Sequence, residues 1–317
     1  HTGVGMFDDI VHRLGKSDLN LVHAGIRNPH GAQPRDDVLY ARSGIQFRSR
    51  ESAGKGFYHG LFAPRYKHAW GQESIRVAVV ASPSDAYKSK TVFIQDSYSS
   101  IDTIAKENEV TFDLAVLDLG LSSDQLDQSK RGFSFKDENE PLDMSFSVDT
   151  ERTTAQDILM NWSEESIADI LFGFGGEKYS RRIAKNIAED RETEAIDTVG
   201  KLVAIVKRSV PSSYRHGKIH PATKTFQALR IAANSEWKHI QDFLERVPAV
   251  MEDGGIVAIV SFHSGEDRVI KHTFRKWHQE GIGELITKRA IRASEQEVKE
   301  NPRSRSALLR VIKIIKS

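Results

Sequence analysis

The sequence contains no cysteine, which excludes disulfides and thiolate metal sites and makes a reducing cytosol the plain expectation. It has no apolar run approaching the roughly 20 residues that a membrane span needs. The strongest run, Gly255 to Phe262, reads as a buried strand. Neither sign of charge dominates: 45 Lys and Arg stand against 44 Asp and Glu, a net charge of +1. Any contact with nucleic acid must therefore rest on local basic clusters and not on a global field. Internal repeats, low-complexity tracts and coiled-coil heptads are lacking as well. The opening, His1 to Leu14, is too polar and too acidic for a signal peptide.

What remains is a chain of 317 residues, 39% hydrophobic and 28% charged, with enough length for one large domain or two ordinary ones. Its texture changes along its length. In residues 1–90 only Phe7, Ile10, Val11 and Leu14 suggest a helix, and from Gly15 to Gly71 apolar residues are sparse and aperiodic. Order resumes with a strand at Ile75–Val80 and another at Thr91–Ile94. Ser100–Glu107 then reads as a helix capped by Ser99 or Ser100. Phe112–Asp118 is an apolar strand that ends in a carboxylate and meets Gly120 at once. This β–α–β rhythm predicts a parallel sheet covered by helices.

Residues 126–233 are mainly helical, with apolar spacings of three and four over Thr154–Asn161, Ser163–Phe172, Glu177–Asp190 and Thr198–Ser209. In the third of these, Tyr179, Ile183 and Ile187 align while Arg181, Arg182 and Lys185 face out. Helices at Thr225–Ala233 and Ile240–Met251 lead to a strand at Ile256–Phe262, then a helix bearing Phe274 and Trp277. Late strands are expected at Gly283–Thr287 and Leu308–Ile315. The pattern is an α/β sheet interrupted by a helical block.

Chemistry concentrates in a few segments. Asp118, at a strand's carboxyl end and followed by Gly120, Ser122 and Ser123, stands where open α/β sheets bind ligands; a capping aspartate is the plainer alternative. Arg131, Phe133 and Phe135 could stack on bases, although a Phe-x-Phe pair more often packs in a core. Lys224, Gln227 and Arg230, spaced by three, put two cations on one helix face, suited to phosphate or simply to solvent. His263 sits in Ser261-Phe262-His263-Ser264, at the end of a very apolar strand, where a proton acceptor or donor is useful. Arg303 and Arg305 share a turn that could clamp phosphates or merely solubilise a loop.

Taken in order, these blocks resemble the family of 16S ribosomal RNA (cytosine-N4)-methyltransferases, the small-subunit methyltransferase H or MraW type. The matching residues run from Asp118-Leu119-Gly120-Leu121-Ser122-Ser123 through Arg131-Gly132-Phe133-Ser134-Phe135 and Pro141-Leu142-Asp143-Met144. They continue in His220-Pro221-Ala222-Thr223, Phe226-Gln227-Ala228-Leu229-Arg230, Ser261-Phe262-His263-Ser264 and Asn301-Pro302-Arg303-Ser304-Arg305-Ser306. The resemblance implies a Rossmann-like methyltransferase sheet formed by residues 1–126 and 234–317, with residues 127–233 as a helical substrate-recognition insert. It implies transfer of one methyl group from S-adenosylmethionine to N4 of a cytidine in the decoding region of small-subunit rRNA. By the family pattern Tyr98, Asp118 and Gln125 contact the cofactor. Asp143, Lys224 and His263 belong to the target pocket, and Arg230, Arg303 and Arg305 to phosphates. No metal is implied. The expected partner is 16S rRNA or the small ribosomal subunit in the cytoplasm, with no membrane and with a homodimer left open.

The chain also departs from that pattern. The glycine-rich cofactor turn expected near the start has no counterpart in residues 1–90, and Leu21 to His30 occupies about its place. The acidic residue expected after the second strand is missing, since Val79-Val80 runs into Ala81-Ser82. Gly265 stands where Leu is usual, and Ser145 and Ser147 where Arg and Asp are usual. The departures leave three readings: an enzyme with an altered cofactor turn, an inactive family member that binds rRNA or assists subunit assembly, or a stretch from about residue 15 to 75 foreign to the family, as a shifted reading frame would produce.

Overall fold

The computed structural model describes residues 58–63, 76–82, 90–121, 129–147 and 152–316. The helix expected at Phe7–Leu14, the aperiodic stretch up to residue 57 and Gln125 lie outside the described residues. Strands β1 (Tyr58–Ala63), β2 (Arg76–Ser82), β3 (Lys90–Gln95), β4 (Phe112–Asp118), β5 (Met251–Ser261), β6 (Gly283–Leu285) and β8 (Leu308–Ile314) form one sheet in the order β3-β2-β1-β4-β5-β8-β6. The short β7 (Ile291–Arg292) pairs with β8.

The order β3-β2-β1-β4-β5 is that of a doubly wound, Rossmann-like sheet. The expectation of a parallel sheet holds only at its centre, where β1, β4 and β5 run parallel. β2 is antiparallel to both β1 and β3, and β8 is antiparallel to β5 and β6, so the sheet is mixed. Chain length explains the reversal at β2–β3. Only residues 83–89 join them, and a parallel crossover needs roughly a dozen residues or more. β3 and β4, joined through a helix, do run the same way, but with β2 and β1 between them.

That helix, α1 (Ile101–Glu107), buries Ile101, Ile104 and Ala105. The serine cap is displaced from the expected position. Ser100 makes no side-chain cap bond, whereas Ser97 caps the preceding 3-10 turn Tyr98–Ser100 by accepting from the Ser99 N–H. Next come α2 (Ala155–Asn161), α3 (Glu164–Gly173), α4 (Ser180–Arg191), α5 (Val199–Ser209), the short α6 (Ser212–Arg215) and α7 (Thr223–Ala233). Thr154 and Asp157 form a reciprocal capping box at α2, and Ser163 caps α3, so polar residues fix both starts. In α4, Ile183 and Ile187 are buried and Arg181, Arg182 and Lys185 exposed, as the spacing predicts.

The chain then returns to the sheet through α8 (Glu236–Val250), α9 (Ser264–Gln279) and α10 (Glu295–Glu300). Two cores result. One packs α1, α8 and α9 against the sheet through residues such as Phe112, Phe243, Ile259 and Phe274. The other lies among the helices, around Leu142, Ile158, Leu171, Ile183, Leu202 and Leu229. Phe133 belongs to this second core, stacked on Phe146 at 5.7 Å, so the packing reading of the Phe-x-Phe pair prevails there. Among the described residues no helix is long and apolar enough to cross a membrane.

Candidate active site

A cleft opens at the carboxyl end of β4, the edge at which α/β sheets bind ligands. Its walls include Tyr98, Asp118, Gly120, Phe146, Glu236 and Glu266. β4 delivers Asp118, and Gly120 follows at φ +90, a left-handed conformation that glycine adopts without strain. The 3-10 turn after β3 delivers Tyr98, only 3% exposed, with its ring edge-on to His239 and Phe243 of α8.

The opposite wall is a knot of charges that the sequence did not announce. Glu236, the first residue of α8, receives a two-pronged pair from Arg230 at the end of α7, with Nε at 2.7 Å and Nη2 at 2.9 Å. Glu266, in the first turn of α9, is 1% exposed. One of its oxygens accepts from the Phe262 N–H at 2.9 Å, and the other lies 3.0 Å from His263 Nε2. His263 caps α9, its Nδ1 accepting from the Glu266 N–H at 3.4 Å. The other ring nitrogen, Nε2, is therefore buried against the carboxylate.

The electrostatics follow from crowding. Burial pushes the Tyr98 hydroxyl well above its ordinary value, and the charges of Glu236 and Glu266 push it further, so it stays neutral. Burial also raises Glu266, but the hydrogen bond and charge of His263 outweigh that, helped by Arg230, and hold the carboxyl below its usual range. Burial opposes the charge on Arg230, yet Glu236 more than compensates. His239 is held below the usual histidine value by burial, against the pull of Asp242. The wall is thus anionic next to a neutral phenol, with Glu236, His263 and Glu266 presenting ligand atoms within 4.8 Å of one another. Because Arg230 already grips Glu236, the knot is internally paired, which does not favour a resident cation.

Tyr98 and Asp118 line the cleft, and His263 borders it through Glu266. Asp143 stands apart, with both oxygens taken. Oδ2 accepts from Arg131 Nε at 3.2 Å and Arg152 Nη2 at 3.1 Å, and Oδ1 from the Ser145 N–H at 3.1 Å and Arg152 Nε at 3.3 Å. Its loop nevertheless reaches the cleft through Phe146, whose N–H donates to Asn234 Oδ1 at 2.6 Å. Lys224 and Arg230, expected on one phosphate-binding face, are drawn apart. Lys224 Nζ donates to the Gly176 carbonyl at 2.9 Å, while Arg230 turns inward to Glu236. Arg303 and Arg305 are exposed on the 3-10 turn Pro302–Ser306 ahead of β8.

Glu236, Glu266, His239 and Phe146 are cleft residues to which the sequence gave no role. Glu266 was within reach, since it lies inside the His263 block at the end of an apolar strand. Glu236 carried no signal. Its partner Arg230 is six positions away across a helix break, where neither the three- nor the four-residue spacing of helix pairs applies.

Comparison with known proteins adds the last element. The ribosomal RNA small subunit methyltransferase H of Coprothermobacter proteolyticus is 41% identical over 266 residues, spanning 83% of this chain and 87% of the relative. That of Sulfurihydrogenibium azorense is 41% identical over 226 residues, 71% of this chain and 76% of the relative. That of Nostoc punctiforme is 46% identical over 202 residues, 63% of this chain and 65% of the relative. A family match over residues 71–315, joined to a cleft at the ligand-binding edge of a Rossmann-like sheet, makes the chain a member of the MraW methylase family.

Proposed function

We propose that this chain transfers a methyl group from S-adenosylmethionine to N4 of a cytidine in the decoding region of small-subunit rRNA. The observation that carries the reading is the cleft at the end of β4, where Asp118, Glu236 and Glu266 surround a neutral, buried Tyr98. Asp118 and Gly120, beside the aromatic wall of Tyr98 and Phe146, suit a small ligand that carries hydrogen-bond donors and a flat ring. The names of the relatives, all methyltransferases of small-subunit rRNA, point the same way.

When bound, the cofactor supplies a methyl group on a sulfonium that is already an excellent electrophile. The work left to the protein is alignment, because the N4 amine is a weak nucleophile whose lone pair is conjugated with the ring. Tyr98 and Asp118, with Gln125, would hold the cofactor. His263, fixed by Glu266, would shape the pocket beside the target amine. With its oxygens already engaged, Asp143 serves as a positioning residue that shapes the loop carrying Phe146. Residues 127–233 would read the RNA, which must present its base unstacked, and Arg303 and Arg305 would meet phosphates. Arg230 would contribute by holding Glu236, not by touching phosphate.

Isothermal calorimetry with S-adenosylmethionine tests the reading on the full chain. Asp118→Ala should weaken binding at least tenfold, given that a charge-assisted hydrogen bond contributes about 1.5–3 kcal/mol. Wild-type protein that binds no cofactor, or a variant of unchanged affinity, would remove Asp118 and this cleft from the mechanism.

A further inference from the structure

Among the described residues, Phe172 is the most exposed large hydrophobic side chain, at 66%. It is the penultimate residue of α3, beside the glycine-rich stretch Gly173-Phe174-Gly175-Gly176 that leads to α4. This turn is built and held on both sides. The Gly176 N–H donates to the Phe172 carbonyl at 2.9 Å, and Lys224 Nζ donates to the Gly176 carbonyl at 2.9 Å. At Gly175 a Cβ would lie 2.4 Å from the Lys224 carbonyl oxygen, so only glycine permits the close approach of α7. Phe174 points the other way, its ring centroid 4.8 Å from that of Trp237, the neighbour of the cleft residue Glu236.

Charge around this turn is one-sided, in a chain that is balanced overall. Residues 178–185 carry Lys178, Arg181, Arg182 and Lys185 and no acid, with Lys185 paired to Glu189 farther along α4 at 3.7 Å. Residues 207–224 again hold only basic charges, among them Arg215 and Lys218, together with the 56%-exposed Ile219. The two segments touch: Lys178 Nζ lies 5.0 and 5.1 Å from the ring centroids of Tyr179 and Tyr214. The one acid in the turn, Glu177, is fully buried and spent on the Tyr214 hydroxyl at 2.7 Å and the Tyr179 N–H at 2.9 Å. Asp169, one turn back along α3, is the nearest exposed acid in sequence.

We propose that the α3–α4 turn and the adjoining 214–224 segment form a docking surface for an unpaired stretch of the RNA substrate, with Phe172 as a stacking platform for one base. This rests on the methyltransferase reading above and names where the substrate is held outside the cleft. An exposed aromatic near Lys and Arg, with Glu177 buried and spent, is an arrangement suited to unpaired nucleic acid. On its inner side the same turn is anchored through Phe174 to Trp237, at the start of the helix that carries Glu236 and His239 into the cleft.

Fluorescence anisotropy with a labelled small-subunit rRNA fragment tests the proposal. Phe172→Ala should weaken binding about tenfold and Phe172→Tyr should restore it, in line with the loss of one stacked base. Arg181→Gln with Arg182→Gln should reduce the slope of log affinity against log salt by about 1.4, from about 0.7 for each lost phosphate contact. Calorimetry with S-adenosylmethionine should be unchanged in every variant, and the exposed positions leave folding intact. If wild type binds the RNA and all variants bind as well, the docking surface is overturned and the methyltransferase reading stands. If wild type binds neither RNA nor cofactor, both fall. A loss of self-association on Phe172→Ala, seen by sedimentation with RNA affinity unchanged, would make the patch a contact between copies and overturn the proposal.

Discussion

Two paired carboxylate centres serve the cleft, one in a loop beside it and one in its wall. Asp143 lies between Arg131 and Arg152 with every oxygen engaged inside its own loop. Glu236 and Glu266 are also paired, with Arg230 and His263, but they stand in the cleft wall beside Tyr98. The contrast separates two placements of a paired charge. A carboxylate held inside a loop fixes that loop, whereas one in a cleft wall also lends its field to a ligand.

The largest effect is expected at the cleft pair. Arg230→Met leaves Glu236 buried and without its partner, which should cost about 3–5 kcal/mol in urea unfolding. Adding Glu236→Leu to that variant should recover much of the loss while weakening cofactor binding. A cost below about 1 kcal/mol for the single variant would mean that the pair is solvated, and the comparison would collapse.

At the loop centre, Asp143→Asn should cost less, about 1.5–3 kcal/mol, as charge-assisted bonds to two guanidiniums become neutral ones. Calorimetry should find cofactor affinity within about threefold of wild type. A drop in turnover with stability unchanged would instead put Asp143 in contact with substrate and erase the difference between the two centres.

How far the sequence reveals these regions depends on whether the determining contacts are local. β4 is found with its observed bounds, Phe112–Asp118, because an apolar run ended by a carboxylate and glycine is a local signal. α2 and α3 follow from Thr154 and Ser163. β5 begins at Met251, ahead of the expected Ile256, because Glu252 and Asp253 are exposed at its start and hide a strand in polar residues. α8 begins at Glu236, ahead of the expected Ile240, after Ser235 at φ 48, a left-handed residue that no cap pattern marks. In the site, Asp118 and His263 are legible from their places at strand ends. Glu236 is not, because its role exists only once α7 and α8 have packed.

Gly265 tests whether the cleft wall has been repacked around a substitution. Leucine is usual at this position in the family pattern, but here a Cβ would lie 2.4 Å from Trp237 Cζ2, so the indole occupies that space. Gly265→Leu should therefore destabilise the protein by about 1–3 kcal/mol through overpacking. Pairing it with Trp237→Leu should return most of that stability in thermal melts. If Gly265→Leu alone is neutral, the indole moves aside at little cost, and this wall is looser than the Asp143 loop.

The smallest expected effect is a change in acid sensitivity at Glu266. Its folded-state carboxyl is held below the usual range, so it contributes stability above the ordinary carboxylate value. That contribution disappears as pH falls through the depressed folded value. Glu266→Gln keeps an acceptor for the Phe262 N–H but has no charge for His263 or Arg230 to favour. The variant should be less stable than wild type at neutral pH, and the gap should close on acidification below the ordinary carboxylate range, as followed by urea midpoints at a series of pH values. A gap that is constant with pH would show that Glu266 acts through shape alone, and the cleft wall would then differ from the Asp143 centre in position but not in kind.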